Sequence, residues 1–136
     1  MPQRWFDLHP LETTQLPPFK ADDLDDVPEV AIAGSFNSVE SYEWIANTGH
    51  WQEAGQAYLA SVSYADAMVG RLLDALDASG RADRTIVVLW GDHGFHLGEK
   101  GRFTKMTLWE ESLHVPFIVV APGVTTALAV ATLRAS

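Results

Sequence analysis

The 136-residue chain contains no cysteine, which excludes disulfides and every thiolate metal site. Basic groups are few: nine lysines and arginines stand against 18 aspartates and glutamates, for a formal net charge of −9. A surface of that sign repels polyphosphates and anionic lipids, so no nucleic-acid partner and no membrane partner is expected through bulk charge. No apolar run approaches the roughly 18 residues needed to span a bilayer. Met1-Pro2-Gln3-Arg4 leads straight into Trp5 and Phe6 and does not read as a signal peptide; the compartment stays open. Internal repeats are also lacking. What is present is enough apolar material for a core, 47% of residues, in a length that suits one domain.

Five of the seven prolines fall within residues 1–30, where Leu16-Pro17-Pro18 precedes the acidic cluster Asp22–Asp26. This stretch reads as an extended, solvated loop. The cluster lacks the D-x-D-x-D-G spacing of a calcium loop. Residues 31–51 are mixed, broken by Gly34, Asn37, Asn47 and Gly49. From Gln52 to Ser79, apolar residues at Ala54, Tyr58, Val62, Ala65, Val69, Leu72, Leu73 and Leu76 keep a three-to-four spacing, which predicts a helix with one buried face. Gly80 then suits the left-handed position after a helix end.

Two apolar runs follow, Thr85–Trp90 and Val115–Ala121, with a short helix predicted between them at about Thr104–Ser112. Near-continuous β-branched and large apolar residues predict parallel strands buried on both faces, hence an α/β layer. Asp92 and His93 lie at the carboxyl end of the first strand, where open α/β sheets bind ligands. A carboxylate beside an imidazole suits a divalent cation. The same pair also suits a strand-end aspartate capping a turn, with the histidine bonded to it; chemistry alone leaves the two readings even.

The run TIVVLWGDHGFHLGEKG, then K-x-T-L-W-E-E and V-P-x-I, resembles the second metal-and-substrate segment of the sulfatases, within the alkaline phosphatase superfamily. It is most similar to the branch holding iduronate-2-sulfatase and choline-sulfatase-like enzymes. With W-F-D-L-H-P-L, Q-L-P-P and Q-A-Y-L-A-S-V-S-Y-A-D upstream, the resemblance covers about Trp5 to Val124. It implies a fragment of an alkaline-phosphatase-like sandwich, with parallel sheet strands and packing helices. Residues 1–124 would be part of a catalytic domain, and residues 125–136 a divergent or truncated tail.

The resemblance further implies that Asp92 and His93 are ligands of a calcium ion. Lys105, 13 residues after Asp92, would contact the sulfate as a catalytic and substrate-binding group; otherwise it is a surface lysine. His96 would either help to bind substrate or simply pack. His114 reads as structural, and Lys100 as a weaker candidate. The family's nucleophile is a formylglycine made from the Cys or Ser of C/S-x-P-x-R, and no such motif occurs in these residues. The chain is therefore expected to carry the second half of a sulfuric ester hydrolase site, inactive alone, for a sulfate ester small molecule or sulfated sugar. Its open sheet edges would call for a complementing chain or self-association. Two alternatives are a phosphoester or phosphonate hydrolase of the same superfamily, and a non-catalytic binding remnant.

Overall fold

The structure, a computed structural model, describes residues 1–33, 38–125 and 129–133. Three helices occupy the first part: α1 (Glu29–Ala33), α2 (Ser38–Asn47) and α3 (Trp51–Ala78). α3 is the helix that the apolar spacing predicts, displaced by one residue at each end. Its carboxyl end stops as expected, with Gly80 at φ 65° and the Gly80 amide donating to the Asp77 carbonyl.

The proline-rich segment is not a free loop. It forms single 3-10 turns at Gln3–Trp5 and Leu11–Thr13 and is strapped along α3. Gln52 Nε2 donates to the Thr14 carbonyl at 3.2 Å, and Gln56 Nε2 to the His9 carbonyl at 2.7 Å. The His9 ring meets Ser63 Oγ at 2.8 Å, and Trp5 sits edge-on to Tyr64. These α3 residues lie one and two turns apart, so a single polar stripe satisfies carbonyls that prolines leave without a regular ladder. Gly55 is buried beneath this strap, against Thr14 and Leu16. Phe19, Tyr42 and Trp51 then form an aromatic cluster, with centroids 5.6–6.0 Å apart, that ties the segment to α2 and α3.

Strand β1 (Val87–Trp90) leaves the helical layer. A hairpin of two-residue strands follows, β2 (His96–Leu97) and β3 (Phe103–Thr104), then the one-turn helix α4 (Glu110–Leu113) and strands β4 (Val115–Val120) and β5 (Ala129–Leu133). Both expected strands exist, but their direction differs from the sequence reading. β4 is antiparallel to β1, with Val87 opposite Val120 and Trp90 opposite Phe117, and β5 is antiparallel to β4. The physical reason lies in the connection. A parallel return needs an element long enough to travel back along the sheet, and a four-residue helix cannot do so. The segment instead folds over one end of the sheet, and Gly91 N donates to the Pro116 carbonyl at 3.1 Å to close it. A sandwich with parallel strands is therefore not what these residues form; they make an α/β layer with small antiparallel sheets.

The predicted helix over Thr104–Ser112 is also shorter than expected. His96 pairs with Thr104 and Leu97 with Phe103, and Thr104 and Met106 have φ of 80° and 67°, values no α-helix contains. Gly34 and Asn37, expected as breaks, lie outside the described residues, as do 126–128 and 134–136 of the tail. Among the described residues, no helix is long and apolar enough to cross a membrane.

Candidate functional site

The fold of the segment between β1 and β4 decides where its polar side chains go. Gly94 is the residue that lets it close. Its amide donates to the Ser112 carbonyl at 2.8 Å, and a β-carbon there would run into the Glu111 carbonyl. Only glycine admits that approach. The Asp92–His93 turn is thereby held against α4, while the β2–β3 hairpin delivers Lys105 to the same place.

His93 and Lys105 meet. Lys105 Nζ lies 2.7 Å from His93 Nε2, and His93 Nδ1 lies 2.7 Å from the Gly94 carbonyl. An ammonium group has donors and no lone pair, so Nε2 accepts from Lys105, and Nδ1 carries the ring proton and donates to Gly94. Asp92 Oδ2 stands 3.6 Å from His93 Nε2, beyond hydrogen-bond reach but within one cluster. Asp92 and Lys105 are exposed and His93 is about one-third exposed, so the cluster opens to solvent.

The donor chemistry suits a cation in part. A backbone carbonyl on Nδ1 fixes the tautomer that leaves Nε2 as the ligating atom, and Asp92 adds a hard carboxylate. Yet no group of three or more His, Asp or Glu converges among the described residues, and calcium takes six to eight oxygens. These two residues could hold such an ion only together with donors from elsewhere.

The structure places His96 differently. It is fully buried, with Nε2 2.8 Å from Thr107 Oγ1, which is itself 2.8 Å from Ser112 Oγ. The Trp109 amide donates to the same Thr107 oxygen at 3.3 Å. Burial pushes the imidazole below the ordinary histidine value. Glu111 and Glu99 pull the other way less strongly, and Arg102 adds to the lowering. His96 thus supports the loop from beneath. Arg102, also buried, donates to the Ile32 carbonyl at 3.2 Å, and burial lowers its pKa as well.

Lys100 is engaged rather than free. It pairs with Asp23 at 3.1 Å and lies over the Trp109 ring at 4.9 Å. The acidic cluster thereby ties the strap to the site loop through one of its carboxylates. His114 stands 4.0 Å from Glu110, at the edge of α4.

Thr107 and Ser112 carry no charge, and only their burial reveals them. The signal was nevertheless in the sequence, because Thr107 is the threonine of the K-x-T-L-W-E element.

Comparison with known proteins identifies the family. The sulfatase family profile matches residues 18–135. The chain is 48% identical over 124 residues to a sulfatase of Formosa agariphila, covering 90% of this chain and 24% of that protein. It is 48% identical over 73 residues to human iduronate 2-sulfatase, and 40% identical over 73 residues to choline-sulfatase of Rhizobium meliloti. Each of those matches covers 54% of this chain, and 13% and 14% of the respective relative. The chain thus spans a quarter or less of the length of these relatives. With most of its residues matched by the family profile, the chain belongs to the sulfatase family.

Proposed function

We propose that this chain supplies part of the binding centre of a sulfuric ester hydrolase, in which Lys105 contacts the sulfate and Asp92 and His93 help to hold calcium. The observation that carries the reading is the convergence of Lys105 Nζ and His93 Nε2 at 2.7 Å, with the Asp92 carboxylate beside them.

Lys105 offers three N–H donors on an exposed, flexible stem. Those donors would bond sulfuryl oxygens and offset the negative charge that grows as the ester bond breaks. His93 is held by the Gly94 carbonyl in the tautomer whose Nε2 lone pair Lys105 occupies here; it becomes available to a cation when Lys105 turns to the sulfate. Calcium, held by Asp92 and His93 together with donors from elsewhere, would supply further positive charge beside the sulfate.

The relatives' names span iduronate, choline and N-acetylglucosamine-6-O-sulfate chemistry. Their common element is the sulfate ester, which is the part that a lysine and a cation would read. The 136 residues hold no C/S-x-P-x-R nucleophile motif, so the chain by itself is an incomplete catalyst.

The test is a two-stage NMR titration of the labelled chain, first with calcium chloride and then with sodium sulfate. Calcium should shift Asp92 and His93, and sulfate should shift Lys105. Lys105→Met should abolish the sulfate response and spare the calcium response. Shifts confined to other surfaces would overturn the assignment. In parallel, p-nitrophenyl sulfate should not be turned over; calcium-dependent hydrolysis by these residues alone would refute the partial-centre reading.

A further inference from the structure

Beneath the exposed Lys105–His93 contact lies a buried chain of polar groups that the binding chemistry does not use. Thr107 and Ser112 are 8% and 4% exposed, and His96 is 0% exposed. Their side chains form one continuous path, from His96 Nε2 to Thr107 Oγ1 to Ser112 Oγ, each step 2.8 Å. Both ends of this path reach the site. The Ser112 carbonyl holds the Gly94 amide, next to His93. At the other end, His96 pairs with Thr104 in the hairpin, next to Lys105. The path therefore spans the two segments whose tips meet at 2.7 Å.

Two further observations show that this path is under constraint. Thr104 and Met106, on either side of Lys105, hold φ of 80° and 67°. A β-branched threonine in the left-handed region is costly and persists only where surrounding structure imposes it. In addition, two buried side-chain atoms, His96 Nδ1 and Glu111 Oε2, lack a hydrogen-bond partner among the described residues. Of the charges acting on the imidazole, Glu111 favours its proton most strongly.

We propose that Thr107 is a positioning residue: the buried path His96–Thr107–Ser112 holds Lys105 against His93, with the neutral His96 donating from Nε2 to Thr107 and Thr107 donating to Ser112. Thr107 then donates to Ser112 Oγ and accepts from His96 Nε2 and the Trp109 amide, so its hydroxyl is saturated. Loss of that hydroxyl removes the only group joining hairpin to α4 along this path. The loop around Lys105 is then free to leave the left-handed conformation. The proposal rests on Lys105 being the sulfate-contacting group.

The experiment uses the 15N,13C-labelled chain at pH 7.5 without calcium or sulfate, so a failure of sulfate binding does not bear on it. Long-range 15N–1H spectra report each histidine tautomer. Nuclear Overhauser contacts between the Lys105 side chain and the His93 ring report the pair. In the parent chain His96 should be protonated at Nε2; an Nδ1–H tautomer would overturn the path's direction and with it the proposal. Thr107→Val, close in shape but without the hydroxyl, should lose most of the Lys105–His93 contact intensity. Thr107→Ser should restore it. A Thr107→Val chain that melts earlier yet keeps the contact at parent intensity would make Thr107 merely structural. Should Thr107→Val fail to fold, Ser112→Ala is read the same way: it should weaken the contact while leaving the His96 tautomer intact, and an unchanged contact would refute the proposal.

Discussion

At the scale of single residues, chemistry that is charged or ligating was legible and chemistry that is neutral and buried was not. Asp92, His93 and Lys105 stand out because a carboxylate, an imidazole and an ammonium announce themselves, and the fold does bring them together. His96 left two readings open, substrate contact or packing, and the structure buries it. That burial has a measurable consequence. Its folded pKa lies below the ordinary histidine value, chiefly through burial, so the unfolded chain binds the proton first as pH falls. Stability should be fully present above the unfolded value, near 6.5, and decline as pH drops from there toward the lowered folded value. A single proton limits the slope to about 1.4 kcal/mol per pH unit. Urea melts between pH 7.5 and 5.5 should show this decline, and His96→Gln should flatten the slope while lowering stability throughout. Parallel slopes in the two proteins would assign the effect to other histidines. Gly94 gives a second residue-scale prediction. A β-carbon there meets the Glu111 carbonyl, so Gly94→Ala should cost on the order of 1–3 kcal/mol, as overpacking does, and should separate His93 from Lys105.

At the scale of elements, existence was readable and direction was not. The periodicity over Gln52–Ser79 specifies α3 because burial of one helical face needs only local spacing. Runs of β-branched residues are likewise local, so both Val87–Trp90 and Val115–Val120 were visible, but the expected burial on both faces is not found: Val88, Leu89 and Trp90 are exposed. Whether two strands run parallel depends on what the chain between them does. The twists at Thr104 and Met106, in residues that disfavour left-handed backbone, had no signature in composition. The strap along α3 was missed for a related reason: prolines mark a departure from regular structure, while the glutamines that satisfy its carbonyls and the serine that meets the His9 ring look like ordinary helix surface. Gly80, by contrast, was legible because its role is local. With φ at 65° and open space around it, Gly80→Ala should cost about 1 kcal/mol through backbone strain alone, seen as a lower Tm with unchanged far-ultraviolet circular dichroism.

At the scale of the whole molecule, the distribution of apolar surface sets what the chain does in solution. Among the described residues the buried hydrophobic ones are Ile45, Ala60, Phe103 and Ala121, whereas Leu72 is 71%, Ile86 66% and Trp90 62% exposed. Leu72 belongs to a larger apolar surface. Val69, Leu72, Leu73 and Leu76 of α3 face Val88, Leu89, Ile118 and Val120 of the sheet across an apolar groove of about 450 Å³. β1 is an edge strand of its sheet, with Val88, Leu89 and Trp90 all exposed. An open edge beside an apolar groove is the arrangement that recruits another strand or another copy. The 136 residues in isolation should therefore self-associate, with a weight-average sedimentation coefficient that rises with concentration. Leu72→Glu places a charge in the groove at a position already mostly in water, so its own folding cost should stay within about 0.5 kcal/mol. It should shift the distribution toward monomer. If the parent chain sediments as a monomer at every concentration, the groove is closed by rearrangement of α3 against the sheet, and Leu72→Glu should then destabilise folding instead of association. The two measurements together assign the groove either to contacts between chains or to contacts within one.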